Sequence, residues 1–174
     1  MSEVLLPPGY RFERLRRGHP REDFRCGRAE VDDWLATKAL QHQKKHLSVT
    51  KVLLGPEDEI AGYFTLAMGQ VNFSDLPIEV VKRLPRRVLP VAVLAWLGVS
   101  DDRQGQGFGR LLLAQALRDC HRAGETFPFV AVILDCLDER VKAFYRKWDF
   151  GEVPGHPHRL FLSTARLNAM MEGG

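Results

Sequence analysis

The chain has 174 residues, of which 45% are hydrophobic and 27% charged, with a formal net charge of +3 at neutral pH. This composition excludes an intrinsically disordered protein, and the length is most simply one domain covering residues 1–174. The weak positive charge is compatible with a polyanionic partner but does not by itself imply one.

The three cysteines and the hydropathy pattern indicate the compartment. Cys26, Cys120 and Cys136 form no CxxC pair, which predicts reduced thiols rather than a disulfide framework or a zinc site. No early stretch resembles a signal peptide, and no apolar run approaches the ~20 residues that span a bilayer. We therefore expect a cytoplasmic protein that contacts no membrane and holds no metal.

The first half of the chain predicts a helix and a hairpin after a short basic strand. Hydrophobic spacing places a strand in 10–18, a helix in 24–46, and a β-hairpin built from 48–54 and 60–71. A proline-rich segment follows, with a short helix at 77–84. The apolar stripe of the long helix comprises Val31, Trp34, Leu35, Ala39 and His42.

The second half alternates buried strands with helices. A nearly continuous apolar run at 91–100 predicts a strand buried on both faces, and a leucine-rich helix follows at 109–124. We expect strands at 127–136 and 159–167, separated by a helix that Asp138 caps. This order predicts an α/β fold in which helices flank a mixed sheet.

A glycine-rich stretch, DDRQGQGFGR at 101–110, lies between the strand 91–100 and the helix that follows it. The first amides of a helix lack intrahelical partners and favour an anion, which glycines allow to approach closely. A Walker loop is excluded because no GK[ST] occurs, and the dinucleotide fingerprint fails because Arg110 stands where its last glycine is needed. A phosphate site and an unliganded turn both remain open.

The pattern Q-x-x-G-x-G, formed by Gln104, Gly107 and Gly109, resembles the pyrophosphate loop of the GNAT N-acetyltransferase superfamily. The pair Phe144-Tyr145 on a later helix strengthens the resemblance, which extends over nearly the whole chain. It implies the GNAT acyl-CoA N-acyltransferase fold and acetyl-CoA as cosubstrate. By analogy, strand backbone would bind the pantetheine arm and loop amides the pyrophosphate. The implied cofactor-binding residues are Leu97, Val99, Gln104, Gly105, Gln106, Gly107, Phe108, Gly109 and Arg110.

Several segments are similar to the toxin-like branch of this superfamily. They are F-x-C-G-x-x-x-V-D-x-W-L at 24–35, GYFTLAMGQV at 62–71 and P-V-A-V-L at 90–94. The resemblance implies a toxin that acetylates the α-amine of aminoacyl-tRNA, forms a dimer and pairs with a DNA-binding antitoxin. The chain departs from the branch at Trp96, where relatives often carry a basic residue.

Amine acetylation needs a neutral amine, a polarised thioester carbonyl and a proton for the leaving thiolate. Residues 91–100 contain no acidic side chain, and an α-amine with a pKa of about 8 needs little help from a base. The resemblance implies that an N–H near Val99 polarises the carbonyl and that Tyr145 is the acid. Tyr145 also falls on an apolar helical stripe, so a packing role stays open.

Five basic residues are candidates for contacting tRNA phosphates, because such side chains bind RNA without reading its sequence. If they do so, they should lie on the same side of the protein as Tyr145. A solvated surface is the alternative for each cluster. The other functions left open are a GNAT enzyme acting on a small-molecule or protein amine, and a non-catalytic CoA-binding module. The five residues are Lys44, Lys45, Arg83, Arg86 and Arg87.

Overall fold

Seven strands form one mixed sheet in the computed structural model, which describes residues 3–173. The strands are β1 (Arg11–Arg14), β2 (Val49–Leu54), β3 (Ile60–Asn72), β4 (Val88–Val99), β5 (Ala131–Asp135), β6 (Gly151–Val153) and β7 (His156–Ser163). Their order is β1-β2-β3-β4-β5-β7-β6. Strands β4 and β5 are parallel, whereas the pairs β1–β2, β2–β3, β5–β7 and β6–β7 are antiparallel.

Among the described residues, five of the six α-helices lie in connections between these strands, and the sixth follows β7. Within residues 3–173, none of them is both long and apolar enough to cross a membrane. The helices are α1 (Ala29–Asp33), α2 (Ala39–Lys44), α3 (Ile78–Val81), α4 (Phe108–Gly124), α5 (Glu139–Arg146) and α6 (Thr164–Glu172). A π-helical segment, Trp34–Lys38, joins α1 to α2.

The described residues divide into two compact units, and strands β3 and β4 run through both of them. The first unit comprises residues 3–67 and 94–117, and the second comprises 68–93 and 118–173. The expectation of a single domain stays a prediction.

The core of the first unit lies under the helical segment 29–44. Val31, Leu35 and Ala39 are buried there, as the helical stripe predicted. The strand β4 comes close to this segment at Gly98, where an added Cβ would lie 2.8 Å from Cγ1 of Val31. Glycine at this position therefore lets the helical segment pack directly on the strand.

The core of the second unit forms where β4 meets β5. Residues Val91–Val93 pair in parallel with Ala131–Ile133, and the apolar side chains of both strands are largely buried. Leu76 and Val81, from the segment that contains α3, pack against the same cluster. This arrangement explains why the apolar runs in 91–100 and 127–136 predict buried strands.

Three sequence predictions need correction, and one strand was missed. The helix predicted at 24–46 begins only at Ala29, because Gly27 has a φ of 92°, which a helix does not allow. The strand predicted at 159–167 ends at Ser163, whose Oγ accepts a hydrogen bond from the Arg166 N–H and caps α6. The strand at 91–100 is not buried on both faces, because Ala95 is exposed, and the three-residue β6 was not predicted.

Helix α5 begins with the cap that its sequence predicted: Oδ1 of Asp138 accepts a hydrogen bond of 2.9 Å from the Val141 N–H. Replacing Asp138→Ala leaves this amide without its acceptor, so we expect the free energy of unfolding to fall by about 1 kcal/mol in urea denaturation. Glu139→Ala is the matched control, because it removes an exposed ion pair with His158 and a first-turn charge but no hydrogen-bond cap, and it should cost about 0.5 kcal/mol or less. Equal losses from both variants would contradict the capping role.

Candidate active site

The glycine-rich loop connects the end of β4 to the start of α4. A short 3-10 turn, Asp101–Arg103, comes first, and Gly105 and Gly107 then adopt left-handed φ angles of 75° and 86°. An added Cβ at either glycine would meet no atom within 4 Å, so the space over the backbone is open. The loop thus places the free amides of the α4 N-terminus beside an open surface, which suits a phosphate group.

The side chain of Gln104 holds the loop against two other parts of the first unit. Its Nε2 donates hydrogen bonds to the carbonyl oxygens of Cys26, at 2.7 Å, and Val99, at 3.0 Å. The Asp101 N–H also donates to the Arg25 carbonyl, at 2.8 Å. Gln104 therefore positions the loop through its side chain, and its backbone N–H lies 3.5 Å from the Asp101 carbonyl oxygen.

Arg103 attaches the loop to the N-terminal segment and to the β2–β3 turn. Its Nε donates to the Tyr10 hydroxyl oxygen at 3.0 Å, and its Nη2 lies 2.5 Å from Oε1 of Glu59. The Tyr10 ring in turn lies 5.1 Å from the ring of Phe108, the first residue of α4. These anchors were not predicted, because no local pattern connects residues so far apart in the chain.

The predicted cofactor residues differ in which of their atoms are available. The side chains of Gln106 and Arg110 are exposed. The side-chain Nε2 of Gln106 also donates a hydrogen bond to the Asp102 carbonyl oxygen at 3.0 Å. Phe108 is buried, so only its backbone N–H is available to a ligand. Leu97 and Val99 are half-buried on β4. The open glycine surface, the loop amides and the Arg110 charge fit the pyrophosphate of acetyl-CoA.

Tyr145 lies on α5 in the second unit and is buried, with its ring centroid 5.7 Å from that of Phe150. Burial raises the pKa of Tyr145 above its usual value of about 10, because the phenolate form loses its hydration. The hydroxyl therefore keeps its proton at neutral pH and can act as a hydrogen-bond donor or acid.

An ion-pair cluster attaches α5 to β6. The nearly buried Lys142 ammonium lies 2.7 Å from Oε1 of Glu152, and Nη1 of Arg146 lies 3.2 Å from the same atom. The interaction raises the pKa of Lys142 and lowers that of Glu152, as expected for a hydrogen-bonded ion pair. The helix that carries Tyr145 is thus fixed at its N-terminal cap and along one face.

The five basic candidates are all exposed, at the end of α2 (Lys44 and Lys45) and between α3 and β4 (Arg83, Arg86 and Arg87). The Arg86 guanidinium lies 5.8 Å from the centroid of the Phe73 ring. Their placement on the side of Tyr145 stays a prediction. Within residues 3–173, no cluster of three His, Cys, Asp or Glu side chains is placed to hold a metal ion.

The fold and the loop together define an acetyltransferase. The model of the acetyltransferase (GNAT) family matches residues 12–150, and the chain belongs to this family. The resemblance and the α/β GNAT fold expected from the sequence are therefore confirmed, as is acetyl-CoA as the cosubstrate of this class.

Individual relatives are named for toxins. The chain is 32% identical over 148 residues to a "tRNA-acetylating toxin" of Mycobacterium tuberculosis (strain ATCC 25618 / H37Rv), covering 85% of this chain and 88% of the relative. It is similar in structure to AtaT complexed with acetyl-methionyl-tRNAfMet, with a TM-score of 0.85, 23% identity and coverage of 93% and 99% of the two chains.

A further solved structure contains a cofactor and a partner protein. It is a tyrosine-to-phenylalanine mutant of AtaT bound to the C-terminus of the antitoxin AtaR and acetyl-CoA. The TM-score is 0.79 and the identity 20%, with 94% of this chain and 98% of that chain covered. At these identities, the two structural matches establish a shared fold.

The loop geometry makes a prediction for Gln104→Ala. The change removes two hydrogen bonds that hold the loop, each contributing about 1 kcal/mol, so we expect the Kd for CoA to rise roughly thirtyfold in calorimetry. Gln106→Ala is the matched control, because its side chain makes only one hydrogen bond, within the loop. It should change the Kd less than threefold, and a larger effect from the control than from Gln104→Ala would contradict the positioning role.

Proposed function

We propose that this chain is the toxin of a toxin–antitoxin pair and transfers the acetyl group of acetyl-CoA to the α-amine of aminoacyl-tRNA. The observation that carries the proposal is the 32% identity, over 85% of the chain, to a relative named for acetylating tRNA. The likeness to AtaT bound to acetyl-methionyl-tRNAfMet, and to AtaT bound to its antitoxin, supports both the substrate and the partner.

The loop and β4 would hold the cosubstrate. Backbone N–H groups of residues 104–110 would bind the pyrophosphate, and the backbone of Leu97 and Val99 would pair with the pantetheine arm. Bound acetyl-CoA supplies the activated thioester that the amine attacks. An N–H near Val99 would donate to the thioester carbonyl oxygen, where negative charge develops in the transition state.

The acceptor amine needs no strong base in this site. No acidic side chain occurs in residues 91–100, which include most of β4. An α-amine with a pKa of about 8 is roughly one-tenth neutral at pH 7, which is enough for attack once it is held in place. We therefore assign the deprotonation of the amine to water.

Tyr145 would donate its proton to the leaving sulfur as the C–S bond breaks, and the proton that the amine loses to water would then restore the hydroxyl. Because burial raises its pKa, the hydroxyl remains protonated across the pH range in which the amine becomes neutral. The tyrosine-to-phenylalanine mutant among the AtaT structures supports a tyrosine as a residue of interest in this fold. Tyr145 contributes its ring to the packing around Phe150 as well, so the two roles are compatible.

The exposed arginines before β4 would bind the tRNA backbone. Arg83 and Arg87 take part in none of the ion pairs found among residues 3–173, whereas Arg103 and Arg159 are each paired with a carboxylate. An unpaired exposed guanidinium is free to exchange its counterion for a phosphate. We assign Lys44 and Lys45, exposed at the end of α2, to the same role.

The first test is Tyr145→Phe, which removes the hydroxyl and keeps the ring. We expect the Kd for acetyl-CoA to change less than twofold and kcat for aminoacyl-tRNA to fall more than tenfold, because the leaving thiolate loses its proton donor. Filter assays with labelled acetyl-CoA and charged tRNA measure the rate, with free amines and peptides as competing acceptors. Transfer to these acceptors alone would favour the small-molecule or protein amine function.

The matched control is Phe144→Leu, which alters packing on the same turn of α5 without touching a hydroxyl. It should leave kcat within threefold of the wild-type value.

The wild-type rate should rise between pH 7 and 9 as the amine becomes neutral. Ionisation of Tyr145 should not lower the rate in that range. Unchanged turnover by Tyr145→Phe would exclude the acid role, and CoA binding without any transfer by the wild type would favour the non-catalytic binding module.

The second test is the double variant Arg83→Ala/Arg87→Ala. We expect a higher KM for aminoacyl-tRNA and a slope of log affinity against log salt that is smaller by about 1 for each lost phosphate contact, with the Kd for CoA unchanged. Arg14→Ala/Arg17→Ala is the matched control, because it removes the same charge from exposed positions. An equal effect from the control pair would mean that the attraction comes from net charge, and the assigned surface would be wrong.

A further inference from the structure

Two tryptophans in the first unit form a stacked pair that has no role in the cofactor binding or the proton transfer proposed above. The rings of Trp34 and Trp96 lie 5.2 Å apart between centroids and only 12° from parallel. Trp34 is buried, whereas Trp96 is half-buried and keeps part of its indole accessible. The His42 ring contacts Trp34 edge-on, at 4.6 Å.

Polar contacts hold Trp34 in a fixed orientation. Its Nε1 donates to Oγ1 of Thr65 at 3.2 Å, and this hydroxyl forms a hydrogen bond of 2.7 Å with that of Thr50. Both threonines are fully buried. Because a buried indole N–H is costly to leave without an acceptor, this hydrogen bond fixes the indole in one position. Trp96 therefore rests on a rigid support.

The backbone that carries Trp34 is itself irregular. Trp34 begins the π-helical segment, and its carbonyl accepts a hydrogen bond from the Ala39 N–H, five residues later. Such widened turns inside α-helices are frequent at functional sites. The irregularity and the stacking occur at the same residue, and they are independent observations.

The position of Trp96 on β4 places it beside the expected thioester. Side chains alternate along a strand, so Trp96 shares a face with Gly98, whose missing Cβ points at Val31 on the helical segment. Leu97, whose backbone we assign to the pantetheine arm, is the next residue, about 3.3 Å along the strand. The half-exposed indole thus lies next to the place where the acceptor amine must arrive.

We propose that Trp96, supported by Trp34, contacts the side chain of the amino acid carried by the tRNA and selects for large apolar or aromatic residues. The inference rests on the proposed function. In an aminoacyl ester, the amine and the side chain are bonded to the same carbon, whereas the terminal base is separated from it by the ester and the ribose. A protein side chain that lies beside the amine therefore contacts the side chain of the amino acid rather than the terminal base of the tRNA.

The chemistry of the indole face sets the direction of the preference. A rigid aromatic surface gains from covering apolar or aromatic groups, and its negative π-face repels a carboxylate. A glycyl group leaves the surface uncovered and gains nothing. We thus expect phenylalanyl and methionyl groups to be favoured over glycyl and aspartyl groups.

The test compares four charged tRNAs, carrying phenylalanine, methionine, glycine or aspartate, with wild type and Trp96→Ala. In the wild type, kcat/KM should be at least tenfold higher for the first two than for the last two. Trp96→Ala should lower kcat/KM tenfold or more for phenylalanyl- and methionyl-tRNA, and less than twofold for glycyl-tRNA. The Kd for CoA should stay within twofold, which shows that the cofactor site is intact.

Trp96→Phe keeps an aromatic surface in case the alanine variant fails to fold, and it should retain the order of preference with kcat/KM within fivefold of wild type. Phe12→Leu, at another half-buried ring of the same unit, is the control and should leave the order unchanged. A uniform fall across all four substrates in Trp96→Ala, or a wild type that shows no preference, would overturn the inference while leaving the proposed function standing. Failure of the wild type to acetylate any charged tRNA would overturn both.

Discussion

The side-chain amide of Gln104 donates hydrogen bonds to two backbone carbonyls, and the glycine-rich loop depends on this interaction for its shape. One acceptor is the carbonyl of Val99, at the end of β4. The other is the carbonyl of Cys26, 78 residues before Gln104 in the chain. A single side chain thereby joins the strand, the loop and the segment that leads into the helix beginning at Ala29. Because its Nε2 protons are used within the protein, the ligand is left to the backbone amides.

Preorganisation is the physical advantage of this arrangement. A loop of glycines with positive φ is flexible on its own, and ordering it during binding would cost affinity. The interactions of Gln104, and those of Arg103 with Tyr10 and Glu59, order the loop before the ligand arrives. The free amides at the start of α4 then face the anion without further rearrangement. This explains why the motif combines a glutamine with glycines: the glutamine fixes the loop and the glycines leave it open.

Local signals made the hairpin, α4 and the Asp138 cap predictable, because alternation, helical period and capping chemistry act over a few residues. The glycine-rich turn between β4 and α4 was predictable for the same reason. The start of the first helix was not, since the left-handed φ of Gly27 overrides the apolar stripe that begins nearby. The stacking of Trp34 on Trp96 and the pairing of Arg103 with Glu59 escaped prediction because they join distant segments. Nothing in the sequence next to any of these residues indicates its distant partner.

In the proposed function, backbone groups bind the cofactor, whereas side chains contact the acceptor. Backbone amides bind the same anion whatever side chains surround them, so a short pattern around Gly105 and Gly107 is enough to carry the site. In the proposed function, side chains such as Trp96 and Arg83 contact the acceptor, and one substitution there would change the preferred substrate while leaving the fold intact. Chains that share this fold at about 20% identity can therefore share acetyl-CoA and still differ in the aminoacyl group they accept. We propose that in this protein the stacked tryptophans determine which aminoacyl group is accepted.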